Sequence, residues 1–237
     1  MDLVLKVENL SKKYAKFELK DVSFEIERGS IMGFIGRNGA GKTTTLKCLL
    51  NLVHTDGGKI EYFGLDYLSH ENEIKQRIGF SSGGVDYYPM ITLKKIASVT
   101  KSFYDNWNEN AYERFMKEFS LDENKKVKEL SEGMKVKFNL TLALSHNAEL
   151  LILDEPTSGL DPVSRDELLT IFENLSKEGV SILFSTHITS DLDKCADHIT
   201  YIKNGIIVES LPKTEFLQKL GGGNLEDIML RIEKGAY

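Results

Sequence analysis

The sequence predicts an α/β fold interrupted by a helix-rich block, and three observations predict it. A short apolar run, Ile31-Met32-Gly33-Phe34-Ile35, passes through a glycine turn into a segment with helical periodicity. A second α/β alternation occupies residues 150–184, where Leu150-Leu151-Ile152-Leu153 has the composition of a fully buried strand. Between the two, residues 92–147 change character to helix.

In chain order, Leu3 to Leu10 and Val22 to Ile26 read as strands by alternation, with Glu27-Arg28-Gly29-Ser30 as a turn. Tyr14 stands between them in Ser11-Lys12-Lys13-Tyr14-Ala15. An aromatic on a polar loop can stack on a purine ring or be an ordinary strand-edge tyrosine, and the local sequence leaves both open. After Ile35 comes Gly36-Arg37-Asn38-Gly39-Ala40-Gly41-Lys42-Thr43-Thr44, which fills G-x-x-x-x-G-K-[ST]. Leu46, Leu49, Leu50 and Val53 then repeat at i, i+3, i+4 and i+7 as one helix face. A strand, a tight glycine turn and a helix aim backbone N–H groups at one point, and the helix adds its positive end. This is a polyphosphate cradle. Lys42 would reach the β and γ phosphates, and the Thr43 hydroxyl would ligand Mg²⁺. The alternative is a glycine-rich β–α turn with a surface lysine, and the three glycines, the Lys-Thr pair and the flanking elements argue against it.

Residues 57–64 read as a turn and a short strand, and residues 77–84 as a strand running into a flexible segment. In the helix-rich block, Tyr112, Phe115, Met116 and Phe119 form one apolar stripe and Val136, Leu140, Ala143 and Leu144 another. Its lysines Lys125, Lys126, Lys128, Lys135 and Lys137 read as a solvated face. Asp161 before Pro162 fits a helix start, with Leu168, Ile171, Phe172 and Leu175 on one side and a stop near Gly179. Val180 to Phe184 is a buried strand. Ile199 to Ile202 and Ile206 to Val208, joined by Lys203-Asn204-Gly205, read as a hairpin. Gly221-Gly222-Gly223 is a joint before a short amphipathic helix carrying Leu225, Ile228, Met229 and Ile232.

Composition narrows the class. The 237 residues carry a net charge of -6, which argues against a nucleic-acid binder relying on overall basicity. Cys48 and Cys195 lie far apart without metal-type spacing, so they read as small core residues in a reducing compartment. Met1-Asp2-Leu3-Val4 lacks a signal peptide's basic region, and no run approaches the roughly 18 apolar residues of a membrane span. Any membrane role is expected from the cytosolic side.

The strand at Leu150 ends in Asp154-Glu155. A carboxylate beside a hydrophobic strand is costly unless a cation or water network receives it. Asp154 can hold Mg²⁺ through its water shell, and Glu155 can accept a proton from an attacking water. Taken alone the stretch would read as a strand ending at the surface, where acids cost little; the glycine loop upstream argues against that. Two further pieces are Leu130-Ser131-Glu132-Gly133-Met134, opening the helix before this strand, and Ser185-Thr186-His187 after the strand ending at Phe184.

With these residues in view, the chain resembles the ATP-binding subunit of a bacterial ATP-binding cassette (ABC) transporter, nearly end to end. The resemblance implies a P-loop NTPase core with a mostly parallel sheet, an N-terminal antiparallel β subdomain and an inserted α-helical subdomain. It divides a single ABC ATPase domain into residues 1–91, a helical subdomain 92–147, the rest of the core 148–220 and a C-terminal helix 221–237. Gly36 to Thr44 (Gly36, Arg37, Asn38, Gly39, Ala40, Gly41, Lys42, Thr43, Thr44) matches the Walker A loop, and Leu150 to Glu155 the Walker B strand with its catalytic glutamate. Leu130 to Met134 is similar to the signature motif in the form L-S-x-G-M. Ser158-Gly159-Leu160-Asp161 resembles the D-loop, His187 the switch histidine, and Tyr14 falls at the family's adenine-stacking aromatic.

The resemblance implies ATP and Mg²⁺ as ligands, with Lys42, Glu155 and His187 catalytic and Thr43 and Asp154 at the metal. It implies a homodimer or a pair with a related ABC subunit, ATP lying between the P-loop of one copy and Ser131 and Gly133 of the other. Ser131 and Asp161 also suit helix capping, and the two readings coexist. A separately encoded integral membrane subunit is the expected partner, with no nucleic acid, at the inner face of the cell membrane. One departure is Gly83, which aligns with a family glutamine that touches Mg²⁺ and the membrane partner. Either Ser82 or Asp86 substitutes, or water fills the metal position, or coupling to the partner uses a different contact; Tyr87-Tyr88-Pro89 could face the partner. The alternatives are a soluble ABC-type ATPase on ribosomes or DNA, which usually has two cassettes or a coiled-coil insertion, a P-loop kinase or GTPase, and a nucleotide sensor. The variant signature resembles subunits linked to efflux of antibiotics or peptides.

Overall fold

A computed structural model describes residues 2–82 and 88–235. Its centre is β3 (Ile31–Ile35), buried at every residue. That strand lies between β8 (Ser181–Thr186) and β9 (His198–Lys203), parallel to both. Parallel pairing continues through β7 (Leu150–Asp154) to β6 (Ile78–Ser82), and β10 (Ile206–Pro212) closes the other edge antiparallel to β9. The sheet order is β10-β9-β3-β8-β7-β6.

Both faces of this sheet are covered, which is why its strands read as unbroken apolar runs. Ile31 and Ile35, Leu151 and Leu153, Ile182 and Phe184 point into one core. Met32 and Phe34, Leu150 and Ile152, and Leu183 point into the other. The first core is filled by α6 (Pro162–Lys177), by α7 (Thr189–Cys195) and by the helices of the inserted block, α3 (Leu93–Lys101), α4 (Glu109–Glu118) and α5 (Glu132–Ser145). The second holds α1 (Lys42–Leu49) and an antiparallel sheet of β1 (Leu3–Lys13), β2 (Glu18–Glu27), β4 (Gly57–Tyr62) and β5 (Leu65–Asp66), ordered β2-β1-β4-β5. The mostly parallel core, the antiparallel N-terminal sheet and the helical insertion are those expected from sequence.

Several boundaries differ for physical reasons. β1 runs on to Lys13 and β2 begins at Glu18, because bulges near Asn9 (φ 50) and Asp21 (φ 49) break the alternation without ending the strands. Tyr14 therefore starts the tight connection instead of sitting mid-loop. α1 stops at Leu49: Asn51 turns left-handed (φ 54), so half-buried Val53 packs from beyond the helix. The hairpin turn is two residues, Asn204 and Gly205, both with positive φ as a type I′ turn requires. Lys135 and Lys137 are half-buried in ion pairs with Glu132 and Glu167 and not part of a freely solvated face. Sequence reading did not separate out the short helices α2 (Glu71–Lys75), α7 and α8 (Lys213–Lys219); α9 (Leu225–Lys234) was expected. Both cysteines are buried thiols, and burial pushes them up to about 11 at Cys48 and about 12 at Cys195.

The joint between the inserted helices and the sheet contains one buried titrating group. His146, just past α5, stacks on Tyr104 at 3.7 Å, with Nδ1 3.2 Å from the Gln76 carbonyl oxygen. Burial lowers its imidazole from 6.5 to about 4. Between those values the unfolded chain binds a proton that the folded chain refuses. The contribution is therefore complete above about pH 6.5 and is lost as pH falls toward 4, about 3 kcal/mol across the interval. His146→Phe keeps the stack and removes the titration. Its urea midpoint should gain on the parent's as pH drops through this window, and a constant difference would contradict the assignment.

Candidate functional site

The site forms where β3 and β7 end. After Ile35 the chain makes the glycine turn and enters α1 at Lys42. Gly36 admits no side chain, since a Cβ would stand 2.4 Å from the Ile202 carbonyl oxygen. Gly41 adopts φ 117, with Phe17 and Leu19 close behind it. α1 has no side-chain cap, so its first-turn N–H groups remain available to an anion. The loop opens on a cleft of about 560 Å³ lined by Asn38, Gly39, Gly41, Lys42, Thr43 and Thr44, by Glu155 opposite, and by Lys16 and Phe17.

Lys42 is only 4% exposed, a costly position for an ammonium unless its hydrogen bonds are met. Nζ donates to the Gly36 carbonyl at 2.8 Å and to that of Arg37 at 3.4 Å, and lies 3.2 Å from Glu155 Oε1. The other carboxylate oxygen of Glu155, Oε2, is 2.9 Å from His187 Nδ1. Glu155 has φ 48, a left-handed conformation unfavourable for a side chain larger than glycine. That turn at the end of β7 directs the carboxylate between the lysine and the histidine. Ser185 braces the turn: its hydroxyl donates to Asp154 Oδ1 at 2.6 Å and accepts from the Glu155 N–H at 2.9 Å.

Lys42, Glu155 and His187 are thus brought together, beside Asp154 and the exposed Thr43. Ser131 and Gly133 do not line the cleft. Ser131 caps α5, its hydroxyl accepting from Met134 N–H at 3.3 Å, and Gly133 sits against Ser164 of α6. Asp161 caps α6 through Val163 and Ser164, whose hydroxyl and N–H hold its carboxyl below the ordinary value. Arg37 points outward to Glu233 of α9 at 3.6 Å, and Ala40 is buried in the turn. Tyr14, 44% exposed with the Lys12 ammonium 5.6 Å from its ring, does not line the cleft. Phe17 does, joined to Tyr14 by a backbone hydrogen bond across the turn, and sequence reading missed both Phe17 and Lys16. Gly83, Asp86 and Tyr87 lie outside the described residues; Tyr88 beyond them is exposed.

The donor set suits a nucleotide with a divalent metal. No group of three or more His, Cys, Asp or Glu side chains that could hold an ion occurs among the described residues. Mg²⁺ needs none, because it uses one or two protein oxygens, waters and the substrate's phosphates. Thr43 and Asp154 could provide that number.

Comparison with known proteins agrees with this architecture. The ABC transporter family profile matches residues 19–158. The bacitracin transport ATP-binding protein BcrA of Bacillus licheniformis is 36% identical over 216 residues, 90% of this chain and 71% of that one. The linearmycin resistance ATP-binding protein LnrL of Bacillus subtilis (strain 168) is 32% identical over 228 residues, covering 94% and 73%. A solved ATP-binding subunit of an ABC transporter superimposes with a TM-score of 0.87 at 27% identity, over 97% of this chain and 99% of that one.

Proposed function

The chain belongs to the ABC transporter family as an ATP-binding, ATP-hydrolysing subunit, and from that premise we propose how its site works and what it serves. The observation that carries the reading is the placement of Glu155 between Lys42, with which it lines the glycine-walled cleft, and His187, which meets its other carboxylate oxygen.

ATP lies with its phosphates over the N–H groups of the loop and the start of α1. Its γ phosphate replaces Glu155 as the counter-charge of Lys42, which frees the carboxylate to face a water. Glu155 takes that water's proton as the oxygen attacks the γ phosphorus and the bond to the bridging oxygen breaks, leaving ADP. His187 bonds the γ phosphate and orients the pair. Thr43 and Asp154 would hold Mg²⁺, which would supply positive charge to the phosphates. Phe17, or Tyr14 after rotation of its exposed ring, offers an aromatic face to the adenine.

Ser131, Gly133 and Asp161 act on the nucleotide of a second copy or of a related subunit. Their absence from the lining of the chain's own cleft supports that reading. Closure of two copies on two ATP molecules, and reopening after hydrolysis, moves a separately encoded membrane subunit. No helix among the described residues is long and apolar enough to cross a membrane, in keeping with a peripheral position on the inner face. The names of the bacitracin and linearmycin relatives favour export of an antibiotic or peptide over other cargo. Phosphate release from ATP should require Mg²⁺ and stop on chelation with EDTA, while Asp154→Ala should need far more Mg²⁺ for half-maximal turnover. Metal-independent hydrolysis would overturn the assignment of Thr43 and Asp154.

A further inference from the structure

His187 is held by little of its own. Its side chain is 42% exposed, and its ring nitrogen meets Glu155 at 2.9 Å. The direction of the ring is therefore set by the backbone of residues 186–188. The Thr186 hydroxyl brackets that backbone, accepting from the Ile188 N–H at 3.0 Å and pointing at 3.4 Å to Oδ2 of Asp191. Asp191 lies in the first turn of α7 and is fully buried. The same Oδ2 accepts a 2.6 Å hydrogen bond from Thr157, two residues beyond Glu155 and 1% exposed.

One carboxylate oxygen thus ties the chain just after Glu155 to the chain just before His187. Ser185 makes the corresponding tie on the strand side, through Asp154 and the Glu155 N–H. The Glu155–His187 contact is clamped from both directions. The arrangement has a cost. Burial raises the Asp191 carboxyl above its ordinary value, and its Oδ1 has no partner among the described residues. The ionisable groups acting on it are Arg165 of α6, whose Nε is also buried without a partner among the described residues, and His187. A leucine here would pack without that penalty, but it would remove both ties.

We propose that Asp191 is a positioning residue that holds His187 against Glu155, through Thr157 on one side and Thr186 on the other. The proposal rests on Glu155 and His187 being the hydrolytic pair. Since neither Asp191 nor Thr157 lines the nucleotide cleft, their loss should lower kcat and leave the KM for ATP nearly unchanged. Asp191→Ala is expected to lower kcat about tenfold or more, with KM within about threefold. Asp191→Asn retains an oxygen that accepts from both threonines, so it should recover most of the loss.

The decisive arm is the double variant. In a His187→Ala background, Asp191→Ala should cost little further, because a residue acting through His187 has nothing left to position. A merely structural aspartate would reduce kcat by the same factor in both backgrounds, and that result would overturn the proposal. So would a parental kcat for Asp191→Ala while Glu155→Gln is inactive. If Glu155→Gln and His187→Ala both turn over at the parent rate, the reading of the site has failed instead. Should Asp191→Ala not fold, Thr157→Val, which deletes one donor, must lower kcat in the same non-additive way; an unchanged kcat there counts against the clamp.

Discussion

Glu155→Gln is expected to bind ATP about as well as the parent and to lose turnover by roughly 10²–10⁴-fold, the usual contribution of a general base. The amide is nearly isosteric with the carboxylate. It keeps an oxygen toward Lys42, 3.2 Å away in the parent, and a polar group toward His187 at 2.9 Å. What it lacks is basicity. Closure of two copies around ATP would then proceed while reopening would not, so the variant should accumulate as a nucleotide-locked dimer resolvable by size. Binding should tighten if anything, because the carboxylate that competes for Lys42 is gone. Hydrolysis at the parent rate would remove Glu155 from the chemistry.

Lys42→Ala should act at the earlier step. The ammonium supplies the side-chain charge buried in the cradle, and each charge-assisted hydrogen bond to phosphate is worth roughly 1.5–3 kcal/mol. Removing two such hydrogen bonds corresponds to a fall in ATP affinity of about 100-fold or more. The apo protein suffers as well, since Glu155 and the Gly36 carbonyl lose their shared partner. Lys42→Arg should not rescue: at 4% exposure, with the Gly36 and Arg37 carbonyls already at contact, the wider planar guanidinium has no room to fold back. Equilibrium binding of a fluorescent ATP analogue separates this defect from the kinetic one at Glu155. Unchanged affinity in Lys42→Ala would contradict the phosphate role.

Most of the cleft's lining was legible in sequence because it is local. Gly36 to Thr44 and Leu150 to Glu155 are contiguous, and each is announced by a strand whose two faces are both buried. What escaped is assembled from distant parts. Lys16 and Phe17 reach the cleft only because β2 folds back beside Gly41, and nothing in their neighbours marks them. Asp191 reads as one more polar residue on a short helix, and only its burial against Thr157 and Thr186 separates it from the exposed acid Asp193 two positions on. The bulges at Asn9 and Asp21 hid the full length of β1 and β2, since period-two alternation fails at an inserted residue even though pairing continues. Ser131 and Asp161 were legible as caps and as motif members alike, and both are caps here.

The claim beneath the mechanism is that one chain supplies only half of each catalytic pocket. ATPase rate per protomer, followed down a dilution series, tests it most directly. Self-pairing predicts that specific activity falls in proportion to concentration below the dimerisation range, and that Ser131→Arg abolishes it at every concentration. A specific activity that stays constant to the greatest dilution, in the parent and in Ser131→Arg alike, would mean that a lone protomer suffices.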